Sequence, residues 1–321
     1  MEVAGHVPRA HARLRAAASA TALALAVAFV GLGVLGRYHY FLNYWVYRGF
    51  APPHDPAFAT PGTADRLYVT SAALGGRSQP VDVYLPPGYA DSPQRRYPVL
   101  YLLHGFPGKP GAFLLTVKAG VDEDVLVAKQ QMQPLILVMP FGSTGQFSDK
   151  EWANGVTRNA QWETFVARDV VRAVDARYRT IPAGGARAIG GLSEGGYGAI
   201  NIALHHPGEF RVVESWSGYE LAARDKSIFG DSGRVLQYNS PLLELPRVAA
   251  RLRRDRTHFW FYSGSEDGPQ WRAQNARFAA ALGRDHISHT YFVVPGGHNW
   301  LVWRTHASAA LLAAAAHLPH A

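Results

Sequence analysis

The chain has 321 residues, 48% hydrophobic and only 17% charged, a balance that excludes an intrinsically disordered protein and suits one large α/β domain or two small ones. Its formal charge is +8, and five of its 32 basic residues are lysine and the rest arginine; these arginines are scattered, apart from those between Arg247 and Arg256, and no basic and aromatic nucleic-acid module accompanies them. With no cysteine, disulfides, thiolate metal sites and a cysteine-linked lipid anchor are excluded.

Residues 1–15 carry Arg9, Arg13 and Arg15 against a single acid, Glu2. Residues 16–36 then hold no charge, and at about 1.5 Å per helical residue that run reaches the ~30 Å hydrocarbon core of a bilayer. Arginines before the run and the aromatic cluster after it (Tyr38, Tyr40, Phe41, Tyr44, Trp45, Tyr47) fit a cytoplasmic N-terminus and an interfacial belt on the far side. The rival is a cleaved signal peptide, but its small-residue pattern, Ala26-Val27-Ala28, lies inside the apolar run rather than after it. A buried soluble helix would show a polar face, which this run lacks. The expectation is a single-pass signal anchor at 16–36, an aromatic belt and Pro- and Ala-rich linker at 37–65, and a domain at 66–321 outside the cytoplasm. In that domain, apolar runs predict strands at 67–71, 81–85, 99–103, 135–139, 187–192, 212–216, 258–262 and 290–294. Helical patterns lie between the later ones, at 162–178, 196–206, 270–282 and 305–317. Strands alternating with helices predict a mainly parallel α/β sheet covered on both faces.

The chemistry centres on Gly191-Leu192-Ser193-Glu194-Gly195, which follows apolar Ala188 and Ile189 and precedes a helix-compatible stretch. Strand, sharp turn and helix are the context that a G-x-S-x-G nucleophile elbow requires. Such a turn presses two backbones together and leaves no room for side chains at Gly191 and Gly195. Ser193 then stands at a helix N-terminus, where free N–H groups and the helix dipole favour an oxyanion. The expected strand 99–103 runs into His104-Gly105-Phe106-Pro107-Gly108, the loop from which an α/β-hydrolase draws one oxyanion donor, the residue after the nucleophile giving the other. The candidate donors are the backbone N–H groups of Phe106 and Glu194.

Serine needs a base within hydrogen-bond reach, itself oriented by a third group, in the chain order serine, acid, histidine. Two loops supply these groups at the C-terminal ends of expected parallel strands, the edge where open α/β sheets bind ligands. One is Ser263-Gly264-Ser265-Glu266-Asp267-Gly268 and the other is Pro295-Gly296-Gly297-His298-Asn299-Trp300. His298 is the expected general base and Asp267 the orienting carboxylate, with Glu266 the alternative acid. His104 is read as shaping the oxyanion loop, and His205, His206, His286 and His289 as solvated or capping groups. Segments 141–159 and 219–256 are the variable parts expected to set specificity, the second as a cap. Trp152 and Trp300 are candidate substrate walls or, equally, packing residues. Asp149, Glu151 and Glu163 read as solvated charge rather than a metal or sugar site. The run from Arg247 to Arg256 reads as a solvated helix face, with anionic head groups as the alternative partner.

Several segments, in order, resemble the esterase D-type esterases: Leu85-Pro86-Pro87-Gly88-Tyr89, the stretch 97–105 ending in His104-Gly105, Tyr178-Arg179-Thr180, the elbow at 190–196, and Gly296-Gly297-His298 through Trp303. That family embraces S-formylglutathione hydrolases, feruloyl esterase domains and actinobacterial mycolyltransferases, and the resemblance spans about residues 66–318. It implies an α/β-hydrolase fold, a Ser193, Asp267 and His298 triad, no cofactor and no metal, and ester or thioester substrates. The expected function is a membrane-anchored serine esterase. An acyltransferase serving a sugar or lipid hydroxyl of a bacterial cell envelope is the alternative, and a non-catalytic envelope scaffold a third reading.

Overall fold

Eight strands form where the sequence carries its short apolar runs: β1 (Thr63–Ser71), β2 (Arg77–Leu85), β3 (Val99–Leu103), β4 (Ile136–Pro140), β5 (Arg187–Gly191), β6 (Val212–Trp216), β7 (His258–Gly264) and β8 (His289–Val294). The computed structural model describes residues 9–145 and 147–320. The strands join one sheet in the order β1-β2-β4-β3-β5-β6-β7-β8. Pairing is antiparallel from β1 through β2 to β4 and parallel from β4 onward. Every residue of β3, β4, β5, β6 and β7 is buried, which is why apolar residues occupy both faces of these strands, with Glu214 and Ser215 as buried polar exceptions in β6. The edge strand β1 alternates instead, because one of its faces meets solvent.

Helices cover both faces. Among the described residues the helices of seven or more residues are α1 (Arg9–Phe41), which belongs to a separate N-terminal unit and not to the sheet's cover, and α2 (Ala119–Ala128), α3 (Val171–Arg177), α4 (Glu194–His205), α5 (Pro241–Arg254), α6 (Pro269–Arg284) and α7 (Trp300–His317). Residues of α3, α4, α5 and α6 share one core with Tyr101, Ile189, Val213 and Phe261 of the sheet. Residues of α2 and α7 share the other with Leu100, Leu102, Ala188 and Tyr262. Alternate residues of each strand thus feed opposite cores, and the fold is the mostly parallel sandwich of an α/β-hydrolase.

The chain divides into two compact units, Met1–Ala51 and Pro52–Ala321. In the first, α1 continues into a π-helical turn, Leu42–Val46, so the helix runs through the aromatic cluster that the sequence placed beyond it. Within its segment Ser19–Val46, an 18-residue window has a mean hydropathy of 2.0 and none of it is buried, so the helix is long and apolar enough to cross a membrane. Residues 1–8 of the basic N-terminus lie outside the described residues. In the second unit, part of the expected linker is bound structure. Ala59 is buried, and the Gly62 N–H donates to the Tyr84 hydroxyl at 2.9 Å and to the Asp124 carboxylate at 3.2 Å.

Candidate active site

β5 ends at Gly191, and the chain turns at Ser193 into α4. Ser193 has φ 58° and ψ −123°, a conformation costly for a side-chain-bearing residue. Its N–H donates to the Trp216 carbonyl at 2.9 Å, which ties the elbow to β6. A Cβ added at Gly195 would lie 1.9 Å from the Leu103 carbonyl oxygen, so α4 packs on the end of β3 only because no side chain intervenes.

Two later loops reach this turn. His298, between β8 and α7, places Nε2 2.7 Å from Ser193 Oγ. The next residue, Asn299, caps α7 by accepting the N–H groups of Leu301 and Val302 at 3.0 and 3.1 Å, which fixes where the helix starts. Asp267, after β7, accepts the Gly264 N–H through Oδ2 at 2.7 Å and holds Oδ1 3.5 Å from His298 Nδ1. That second separation is long for a hydrogen bond and within ion-pair range. Burial alone would raise the Asp267 carboxyl, but His298, the Gly264 N–H and the Ser217 hydroxyl together hold it below its ordinary value. Its neighbour Glu266 is exposed, so the buried acid beside the imidazole is Asp267.

The backbone N–H groups of Phe106 and Glu194 have no hydrogen-bond partner among the described residues. Behind Phe106, the loop is braced by His104. The Gly142 N–H donates to its Nε2 at 3.2 Å, so Nδ1 carries the proton and faces the Gly105 carbonyl at 2.9 Å. Burial lowers the His104 pKa to about 4, which keeps the ring neutral.

Trp152 lines no accessible surface. It is fully buried, donates through Nε1 to the His104 carbonyl at 2.9 Å and lies edge-on to the His104 ring at 4.9 Å, so the packing alternative applies. Trp300 is half-buried at the first residue of α7, edge-on to Trp303 at 5.1 Å.

The acids of the 141–163 region differ from expectation. Glu151 is buried and accepts the Tyr219 hydroxyl, and burial followed by the neighbouring Asp149 charge pushes its carboxyl up to about 8. Burial, then Asp149 and Glu151, also holds the Glu194 carboxyl well above its ordinary range. Glu163 is buried between His205 Nδ1 at 2.8 Å and His206 Nε2 at 2.9 Å, so those histidines are not solvated caps. Among the described residues, no group of three or more histidine and acidic side chains is arranged to hold a metal ion.

Sequence reasoning missed three aromatic side chains: Trp271, whose ring centre is 5.0 Å from that of His298, Trp303, also at 5.0 Å, and Tyr219, stacked on Trp271. Trp271 stands four residues after Asp267 and Trp303 five after His298, so proximity to the two loops was the available signal.

The model of the esterase family, described as "Putative esterase", matches residues 71–314. The chain belongs to this family. An esterase of Mycobacterium tuberculosis (strain H37Rv) is 32% identical over 245 residues, covering 68% of this chain and 52% of that one. A diacylglycerol acyltransferase/mycolyltransferase of Mycobacterium avium is 25% identical over 210 residues, covering 53% and 57% respectively. This family member therefore spans about half the length of the curated relatives it matches. A solved ferulic acid esterase superposes with a TM-score of 0.71 at 23% identity, over 81% of this chain and all of that one, a likeness of fold. The relatives in this family include both esterases and acyltransferases.

Proposed function

We propose that this chain is a serine esterase acting on a carboxylic ester or thioester, with Ser193 as nucleophile, His298 as general base and Asp267 as the orienting carboxylate. The observation that carries the reading is the 2.7 Å approach of His298 Nε2 to the hydroxyl of an elbow serine 105 positions away. Ser193 Oγ attacks the acyl carbonyl while His298 Nε2 takes its proton, and Asp267 steadies the imidazolium. The carbonyl oxygen becomes an oxyanion held by the N–H groups of Phe106 and Glu194, each such donor being worth roughly 3–4 kcal/mol of transition-state stabilisation. The imidazolium then gives its proton to the departing alcohol or thiol, leaving an acyl-serine. Water, deprotonated by His298, attacks that ester, and Ser193 recovers its proton as the acid leaves. Trp300, at the rim of α7, is the candidate wall for substrate. Labelling the full chain with a fluorophosphonate tests this: wild type should react and Ser193→Ala should not. A folded wild type that resists the reagent would refute it.

The helix at Ser19–Val46 supports anchoring in a cell membrane, with residues 1–15 cytoplasmic, a short tether, and the catalytic unit outside the cytoplasm. Protease added to intact cells should remove the catalytic unit; protection would reverse the topology. A second reading, transfer of the acyl group to a sugar or lipid hydroxyl, is favoured by the mycobacterial acyltransferase relative. It shares the acyl-serine and differs in what attacks it. Product analysis with and without an added polyol acceptor separates the two, since an esterase yields only the free acid.

A further inference from the structure

Polar contacts hold the imidazole of His298 incompletely. Nε2 meets Ser193, but Nδ1 and the Asp267 Oδ1 opposite it, 3.5 Å away, have no hydrogen bond among the described residues. The other carboxylate oxygen is engaged by Gly264. The ion-pair contact with Asp267 therefore sets the direction in which the ring points, while the orientation of its plane is left to its other neighbours. Two indoles supply what is missing. Trp271, from the first turn of α6, has its ring centre 5.0 Å from the imidazole centre with the planes inclined at 52°. Trp303, from the first turn of α7, lies at the same 5.0 Å with the planes at 88°.

Both indoles are themselves anchored. Trp303 is buried and packs edge-on to Trp300. Trp271 stacks on Tyr219 at 5.8 Å, and Tyr219 stacks on Tyr197 of α4 at 4.9 Å. The Tyr197 hydroxyl donates to the Asn239 carbonyl at 2.7 Å, so the row ends on fixed backbone. It links the helix that carries the nucleophile to the ring that would deprotonate it. An indole face is negatively polarised, and a cation against it gains about two- to thirtyfold in an equilibrium constant, more as the site is desolvated.

We propose that Trp271 and Trp303 are positioning residues that clamp the His298 imidazole toward Ser193, with Trp271 also favouring the imidazolium formed when the serine proton is taken. The inference rests on the reading of His298 as general base. The other titratable and charged groups around the ring are Asp267 and Glu266 from the loop after β7, Tyr262 beside Asp267, His306 of α7 against Tyr262, and Arg272 of α6, whose Nε donates to the Asp267 carbonyl at 3.2 Å.

The test uses the full chain in detergent and p-nitrophenyl acetate as probe. Trp271→Leu, half-exposed and so the safer position to truncate, should lower kcat about five- to thirtyfold with KM nearly unchanged. It should also move the acid limb of the kcat/KM profile to lower pH, because an imidazolium that has lost its π partner gives up its proton more readily. Trp271→Phe should restore most of both. Thermal melting of each variant guards against unfolding, and Trp303→Leu provides an independent second position that should lower kcat in the same sense, with Trp303→Phe restoring most of it. A rise in KM at constant kcat would make Trp271 a substrate contact, and a fall in kcat with an unmoved acid limb would make it ordinary packing; either overturns the proposal. Failure of the triad itself looks different, since His298→Gln would then keep wild-type turnover and Ser193→Ala would still react with fluorophosphonate.

Discussion

Substituting Gly195 by alanine tests the physical basis of the elbow. The added Cβ would lie 1.9 Å from the Leu103 carbonyl oxygen, 2.5 Å from its carbon and 2.8 Å from the His104 carbonyl oxygen. All three are backbone atoms at the end of β3, so no side chain can swing aside. Ordinary contact begins near 3.4 Å, and relief therefore requires the first turn of α4 and the end of β3 to separate by about 1.5 Å. Alanine's better helix propensity returns at most about 1 kcal/mol. Overpacking of this kind costs about 1–3 kcal/mol or more, so the clash outweighs it. The net cost of about 1–2 kcal/mol corresponds, in a unit of this size, to a fall in melting temperature of roughly 2–8 °C. The displacement also carries Ser193 Oγ away from His298 and from the Phe106 and Glu194 N–H groups, and about 1 Å of misplacement costs about 100-fold in rate. Thermal melting and ester hydrolysis of Gly195→Ala measure the two effects, with Gly185→Ala as control because nothing lies within 4 Å of its added Cβ. A Gly195→Ala chain that melts with wild type and keeps half its activity would refute the close-packing argument.

Asp267→Asn should lower kcat by about 10³–10⁴-fold, as loss of a triad acid does elsewhere, while Glu266→Gln should stay within about threefold; the reverse outcome in steady-state hydrolysis would transfer the role to Glu266. Trp152→Ala should cost about 3–5 kcal/mol in urea unfolding, whereas Trp300→Ala should leave stability within about 1 kcal/mol and raise KM. Glu151 stays protonated when folded up to about 8 but ionises near its ordinary 4.5 when unfolded, so the folded state binds more protons across that window and stability falls as pH rises through it. Glu151→Gln retains an acceptor for the Tyr219 hydroxyl and has no proton to lose. It should match wild type below the window and exceed it by roughly 3 kcal/mol at neutral pH, as read by unfolding at a series of pH values.

The strands were legible because a sheet covered on both faces favours apolar residues on both, and runs such as Val99-Leu100-Tyr101-Leu102-Leu103 allow little else. The elbow was legible because its glycines answer to backbone proximity, a local constraint that leaves a local mark. Burial of charge left no such mark. Glu151 and Glu163 look like loop acids in the chain, and only the approach of Tyr219 in one case and of His205 and His206 in the other brings them inside. Trp152 was ambiguous for the same reason, since whether an indole faces a substrate or the back of His104 depends on a loop 48 positions away. The contacts at the end of the linker leave no mark in its own sequence, because Tyr84 and Asp124, the partners of Gly62, belong to distant elements.

The grip of Glu163 on two consecutive histidines falls on the last residue of α4 and the one after it, while β3 pins the first turn at the opposite end. Held at both tips, this helix carries Ser193 on a mount with little freedom to slide or tilt. Its amide protons should be among the last to exchange with heavy water. Whatever opens to admit a bulky ester is then found elsewhere, in residues 230–237, a short stretch that is mostly exposed and lies between the buried Phe229 and Asn239.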